Sequence, residues 1–334
     1  MRFTRDHLLK IARDRAEALL AANPRLVCIY LTGSLLGDAP MLGGTADIDL
    51  VLVHAGDPET AREIIPFNDD IHFDIAHVSQ AVYREAHELR RNPWVGPYIC
   101  LNPLLLHDTR HWFEFTQARI CSQINLPEYV GARARALGSA ARTQWIDLAA
   151  HTLFAGAGFT LGVINILEQA ANAIACLTGA PIPQRRFLIQ FPPRAEAIGK
   201  PGLYAGLTGL LGISTITAEE LRPWLAPWRE CLHDAGLHPD CPTRLDAARE
   251  RYYSVAVETL LDDYPQAAAW LLLQTWAQSM CVVGGYHHTA GAWEAAANSL
   301  MLGAADTDRL VEALDAYLDL VEETIDEWCS RQGL

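Results

Sequence analysis

"IYLTGSLLGDAPMLGGTADIDLVLV" occupies residues 29–53. It sets a Gly-Ser turn behind one apolar run and an Asp-x-Asp pair at the start of the next. "LVCIYLTG" and "DIDLVLV" are rich in β-branched and aliphatic residues, which predicts two short strands joined by a glycine-rich loop. Strand side chains alternate faces, so Asp47 and Asp49 point the same way. Two carboxylates side by side repel each other and lose hydration, a cost that a shared cation removes. A hard divalent ion such as Mg²⁺ takes oxygen ligands, usually one or two carboxylates plus substrate phosphates.

The next strand outward is "IHFDIAHVS" at 71–79. Asp74 sits there among Ile71, Phe73 and Ile75, where a lone acid is costly. Paired beside the 47–53 strand, Asp74 completes a three-carboxylate cluster able to hold two ions. The matching chemistry is in-line phosphoryl or nucleotidyl transfer. Gly33 and Ser34, at a strand end, can offer backbone N–H groups and a hydroxyl to phosphate oxygens, since glycine lets the main chain come close. His72 shares the face of Asp74 and is expected to be partly exposed; His54 and His77 are expected on the other face.

"TGS" at 32–34, twelve intervening residues, "ADIDLVLV" at 46–53 and "FDIA" at 73–76 resemble the nucleotidyltransferase superfamily whose best-known member is DNA polymerase β. Within it the pattern is similar to aminoglycoside nucleotidyltransferases and to the minimal, MNT-type nucleotidyltransferases. The motif resemblance spans residues 25–80, and Ala46 stands where a Ser often precedes the first Asp. It implies that Asp47, Asp49 and Asp74 bind metal, that Gly33 and Ser34 hold a triphosphate, and that Asp74 helps activate the acceptor. It also implies Mg²⁺, as two ions, and an NTP co-substrate, with ATP favoured.

Bulk composition sets the outer limits. The chain has 334 residues, half of them hydrophobic, enough for two domains or one large one. A net charge of −14 argues against a broad nucleic-acid surface, which needs Lys and Arg to displace phosphate counterions. Lysine occurs only at positions 10 and 200. The N-terminus is charged and helical in period rather than a signal peptide. Residues 148–167 and 266–285 carry no charge, but their Gly, Gln, Asn, Thr and His content suits buried helices better than membrane spans. Eight cysteines without C-x-x-C spacing read as reduced thiols of a cytoplasmic protein.

Residues 5–22 have helical apolar spacing, and "GDPETAREII" (56–65) reads as a helix opened by Asp57-Pro58. A loop-rich connector with prolines at 93, 97, 103 and 127 follows. Beyond it helical signals dominate: 131–177, 244–261, 266–283, and a last helix with Leu310, Leu314, Tyr317, Val321, Ile325 and Trp328 on one face. The expected class is α+β followed by all-α, with a small mixed-sheet nucleotidyltransferase domain at 1–125 and a helical domain at 126–334 lining the acceptor and nucleotide cleft.

Residues 181–202 read as a proline-rich break carrying Arg185, Arg186, Arg194 and Lys200. Arg185 and Arg186 are candidates to close over a nucleotide. Residues 301–334 hold nine acids against two arginines, read as a solvated face. Glu168, on an uncharged stretch, is a weak candidate base. His287-His288 has no companion ligand at helical spacing, so no zinc site is expected there.

The expected function is Mg²⁺-dependent transfer of an NMP from an NTP to a hydroxyl-type acceptor, a small molecule favoured, with release of pyrophosphate. An acidic chain is compatible with a cationic acceptor such as an aminoglycoside. Two alternatives stand beside it: a toxin–antitoxin nucleotidyltransferase acting on protein or tRNA, and a non-catalytic nucleotide-binding module. The expected partners are an NTP and an acceptor, with no membrane; a homodimer is left open.

Overall fold

The computed structural model describes residues 3–150 and 156–334. The chain divides into two compact units, Met1–Asn125 and Leu126–Leu334. The first is a mixed α/β unit and the second is helical.

In the first unit, β1 (Leu26–Thr32), β2 (Ala46–His54), β3 (Arg62–Pro66), β4 (Ile71–Ser79) and β5 (Leu104–Asp108) form one sheet ordered β3-β4-β2-β1-β5. β2 and β4 run parallel, and every other pairing is antiparallel. Alternation sends Ile29, Leu31, Ile48, Leu50, Phe73 and Ile75 to one face, where they pack with Leu8, Ala12 and Ala16 of the Arg5–Ala22 helix. Cys28, Tyr30 and Val53 go to the opposite face, against Tyr83, Leu89, Phe113 and Ile120. Apolar cover on both faces explains why these strands read as near-continuous hydrophobic runs.

The sheet corrects two expectations. Residues 62–66 are not helical: they form β3, an edge strand paired with β4. Asp57-Pro58 is a helix-start signal, but the backbone groups of Ile64 and Ile65 find their partners across the sheet, and tertiary pairing overrides local preference. A turn on Asn68 joins the two strands, its side-chain oxygen accepting from the N–H groups of Asp70 and Ile71, both at 2.9 Å. β5 arises inside what reads as a loop-rich connector, because β1 has an edge to fill.

Cys100 and Cys121 form a disulfide, so the reading of eight reduced thiols does not hold for this pair. The other six are free, and Cys28, Cys176, Cys231 and Cys329 are buried. Local sequence cannot reveal the pairing: Cys100 ends one short helix and Cys121 ends the Trp112–Cys121 helix, and only packing brings them together.

In the second unit, Pro127–Ala150 and Ala157–Ala175 are two helices, and Pro265–Val283 is buried along most of its length. The expectation for 148–167 falls partly on 151–155, outside the described residues. The 181–202 stretch is not a simple break, since Phe187–Ala197 is helical with Pro192 and Pro193 inside it. Phe187 and Phe191 are buried there, and their packing offsets the backbone hydrogen bonds that the prolines remove. No helix among the described residues is long and apolar enough to cross a membrane.

The last helix, Thr307–Arg331, buries Leu310, Leu314, Tyr317, Val321 and Ile325 as its spacing predicts. Its acids are not merely solvated. Arg142 donates to Asp315, Asp319 and Glu322 together, and these partners raise its already high pKa further.

Candidate metal centre

The site lies where β1 ends and β2 begins. Thr32 pairs with Asp49 across β1 and β2, and the parallel β2–β4 register sets Asp49 beside Asp74 and Asp47 beside His72. Residues opposite one another on adjacent strands share a face, so the three carboxylates converge. One oxygen from each of Asp47, Asp49 and Asp74 lies within 4.8 Å of the others. Asp74 is buried and the other two are half-buried. His72 is buried rather than partly exposed.

The turn after β1 is fitted against this cluster. Gly33 has φ +79°, and a Cβ built there would stand 1.8 Å from Asp49 Oδ2. Only glycine allows both the left-handed backbone and the carboxylate behind it. Arg5 donates from Nε to the Leu35 carbonyl and from Nη2 to the Leu36 carbonyl, fastening the turn to the first helix. Ser34 Oγ donates to the Pro40 carbonyl at 3.2 Å. Within the loop, Leu42 and Thr45 bridge across Gly43 and Gly44, both at positive φ. The glycine-rich spacer is therefore a tight turn that returns the chain to β2.

Arg62 is the site residue that sequence reasoning missed. Its Nε donates to Asp74 Oδ1 at 2.5 Å and its Nη2 to Asp74 Oδ2 at 2.7 Å. A two-point guanidinium–carboxylate contact fixes the plane of the acid as well as its charge. The available signal was "REIIPFNDDIHF", two β-branched runs around an Asn-Asp turn.

Other candidates sit away from the cluster. His54 and His77, at the far end of the strands, meet at 2.9 Å, and His77 reaches Glu63 at 2.8 Å. Burial, then His77, lowers the pKa of His54. Tyr30 and Tyr83 share a buried hydroxyl contact of 2.9 Å, and burial pushes Tyr83 up to about 12, so neither phenol is a base near neutrality. A cavity of about 700 Å³ opens at the start of β1, lined by Val27, Tyr83, Arg110 and Trp112. It stands at the opposite end of the sheet from the carboxylates. Donor chemistry, not volume, singles out the three carboxylates as the candidate metal centre.

Arg185, Arg186 and Glu168 belong to the second unit. The Arg185 guanidinium lies 3.6 Å from the centre of the Tyr252 ring, and Arg186 ends the adjoining 3₁₀ turn. Glu168 Oε2 accepts from Gln274 Nε2 at 2.6 Å, and Gln274 Oε1 accepts from Gln184.

No protein-family model matches this chain, and no curated protein matches it significantly.

Proposed function

We propose that this protein is a Mg²⁺-dependent nucleotidyltransferase that moves an NMP from an NTP, ATP favoured, to a hydroxyl-type acceptor. The observation that carries the reading is the convergence of three carboxylates within 4.8 Å beside a turn whose glycine leaves no room for a Cβ. An all-oxygen donor set suits a hard divalent ion, and Asp47, Asp49 and Asp74 would hold it. Bound there, Mg²⁺ supplies positive charge that offsets the carboxylates and the triphosphate oxygens.

The chain's own residues do the rest. The Gly33 main chain, free of a side chain, offers a close approach for phosphate oxygens. Arg62 fixes the orientation of Asp74, and one arm of the fork must open for this carboxylate to take the acceptor's hydroxyl proton as the hydroxyl oxygen attacks the α-phosphorus. The new O–P bond forms as the bond to pyrophosphate breaks. A small-molecule acceptor fits the acidic balance of the chain.

The same fork on Asp74 favours a second reading, a nucleotide-binding module without turnover, because Arg62 engages both oxygens of the acid that would act as base. One experiment separates the two. The protein is incubated with Mg²⁺ and each labelled NTP over a panel of cationic small molecules, tRNA and protein acceptors, with Asp47→Ala/Asp49→Ala as control. Acceptor-dependent pyrophosphate release that the control lacks supports the transferase. Mg²⁺-dependent nucleotide binding without release with any acceptor supports the module, and binding unchanged in the control sinks both.

A further inference from the structure

The second unit gathers another set of metal-ligating side chains. The helix Leu225–Gly236 presents Glu230 and Asp234 one turn apart, hence on one face. Between the helices Pro265–Val283 and Ala290–Ser299, the chain turns at Gly284 (φ +84°) and delivers His287 and His288 to that face. His287 Nε2 lies 2.9 Å from Asp234 Oδ2, and His288 Nε2 lies 3.0 Å from Glu230 Oε2. The two imidazole rings are 4.2 Å apart, and the ligand atoms of Asp234, His287 and His288 all fall within 4.8 Å of one another.

We propose that Glu230, Asp234, His287 and His288 form a binding site for a transition-metal dication of the Zn²⁺ class. Tetrahedral Zn²⁺ with bonds of about 2.0–2.1 Å sets its ligand atoms roughly 3.3 Å apart. The Asp234–His287 and Glu230–His288 spacings of 2.9 and 3.0 Å are slightly shorter, and Glu230 reaches the Asp234, His287 and His288 group through His288. Two imidazoles with two carboxylates suit Zn²⁺ over Mg²⁺, which prefers oxygen alone. The site also has an outer support. His287 Nδ1 lies 2.8 Å from Thr289 Oγ1, and buried Thr289 lies 3.9 Å from Met280 Sδ on its hydroxyl side. The Thr289 backbone N–H also donates to His287 Nδ1 at 3.4 Å, so Thr289 holds this edge of the ring and Nε2 is left facing Asp234. A ring fixed by its second nitrogen is the usual arrangement of a metal-bound histidine.

The ion would tie the 284–289 turn to the 225–236 helix. Helical spacing within either segment conceals the site, because each segment contributes only half of the donors.

The test uses the full chain stripped with a chelator. Zn²⁺ is titrated by calorimetry in excess Mg²⁺, and Co²⁺ is titrated by visible absorption. Expected are one ion per chain and the intense absorption of four-coordinate cobalt. His288→Gln and Glu230→Gln alter exposed side chains, so the fold is kept, and each weakens binding by about tenfold or more. Asp47→Asn leaves the affinity unchanged, which separates this site from the carboxylate cluster of the first unit. Absence of binding at micromolar Zn²⁺ overturns the proposal. Affinity unmoved by both His288→Gln and Glu230→Gln overturns it equally, as does loss of binding in Asp47→Asn.

Discussion

Arg62 grips Asp74 from the neighbouring strand through two parallel hydrogen bonds, although the arginine is half exposed and the acid almost fully buried. The edge strand β3 thereby holds the acid at the centre of the candidate site. Ile64 of β3 pairs directly with Asp74, so Arg62 reaches it diagonally.

Arg62→Gln removes the charge and the fork while keeping much of the side chain. Breaking a fully buried ion pair costs more, but Arg62 is 52% exposed, and water repays part of the loss. The expected destabilisation is about 1–3 kcal/mol without Mg²⁺, measured by urea unfolding. Added Mg²⁺ should restore part of it if Asp74 is a ligand. Arg62→Lys should not rescue the variant, because an ammonium group cannot make the two-point contact.

Gly33→Ala tests the fit of the turn. A Cβ would stand 1.8 Å from Asp49 Oδ2 at a backbone φ of +79°, so both the turn and the carboxylate must move. The expected cost is about 1–3 kcal/mol of stability. Nucleotide and Mg²⁺ binding should fall together, as read by calorimetry. Gly44→Ala has open space around it, so it should strain only its own φ and leave Mg²⁺ binding in place.

The His54–His77–Glu63 chain gives the first unit an acid-sensitive end. His77 Nε2 donates to Glu63, so its Nδ1 accepts from His54 Nε2–H. Burial and His77 lower the pKa of His54 in the folded state, so the unfolded chain takes up this proton first as pH falls. The stabilisation is therefore full above the ordinary histidine value of about 6.5 and is lost as pH drops through the lower folded value. Thermal unfolding of the wild type and of His54→Gln, compared at pH 7.5 and pH 5.5, should show a smaller acid-induced drop in the variant.

Arg142 organises the acidic last helix. Its side chain is 20% exposed and meets Asp315, Asp319 and Glu322, whose own exposure is 44%, 64% and 43%. Single exposed pairs are weak, but here three share one guanidinium. Arg142→Gln should cost about 1–2 kcal/mol at low salt. Urea unfolding at increasing NaCl should narrow the difference, since screening weakens exposed pairs.

The sequence by itself determined β1, β2 and β4, because their apolar runs are covered on both faces and leave little choice of structure. It also put Asp47 and Asp49 on one face, since strand alternation is a local rule, and gave the last helix its buried stripe. The neighbourhood of Asp74 was decided by register: only the parallel pairing of β2 with β4 sets it opposite Asp49. β3, β5 and the Cys100–Cys121 disulfide lay beyond local reading, because their partners are distant in sequence. Arg62 became a site residue, and His287-His288 acquired carboxylate companions, only once separate segments were folded together. Propensity and periodicity act within a few residues along the chain. Charge pairing and ligand convergence act across space, and the fold alone sets those distances.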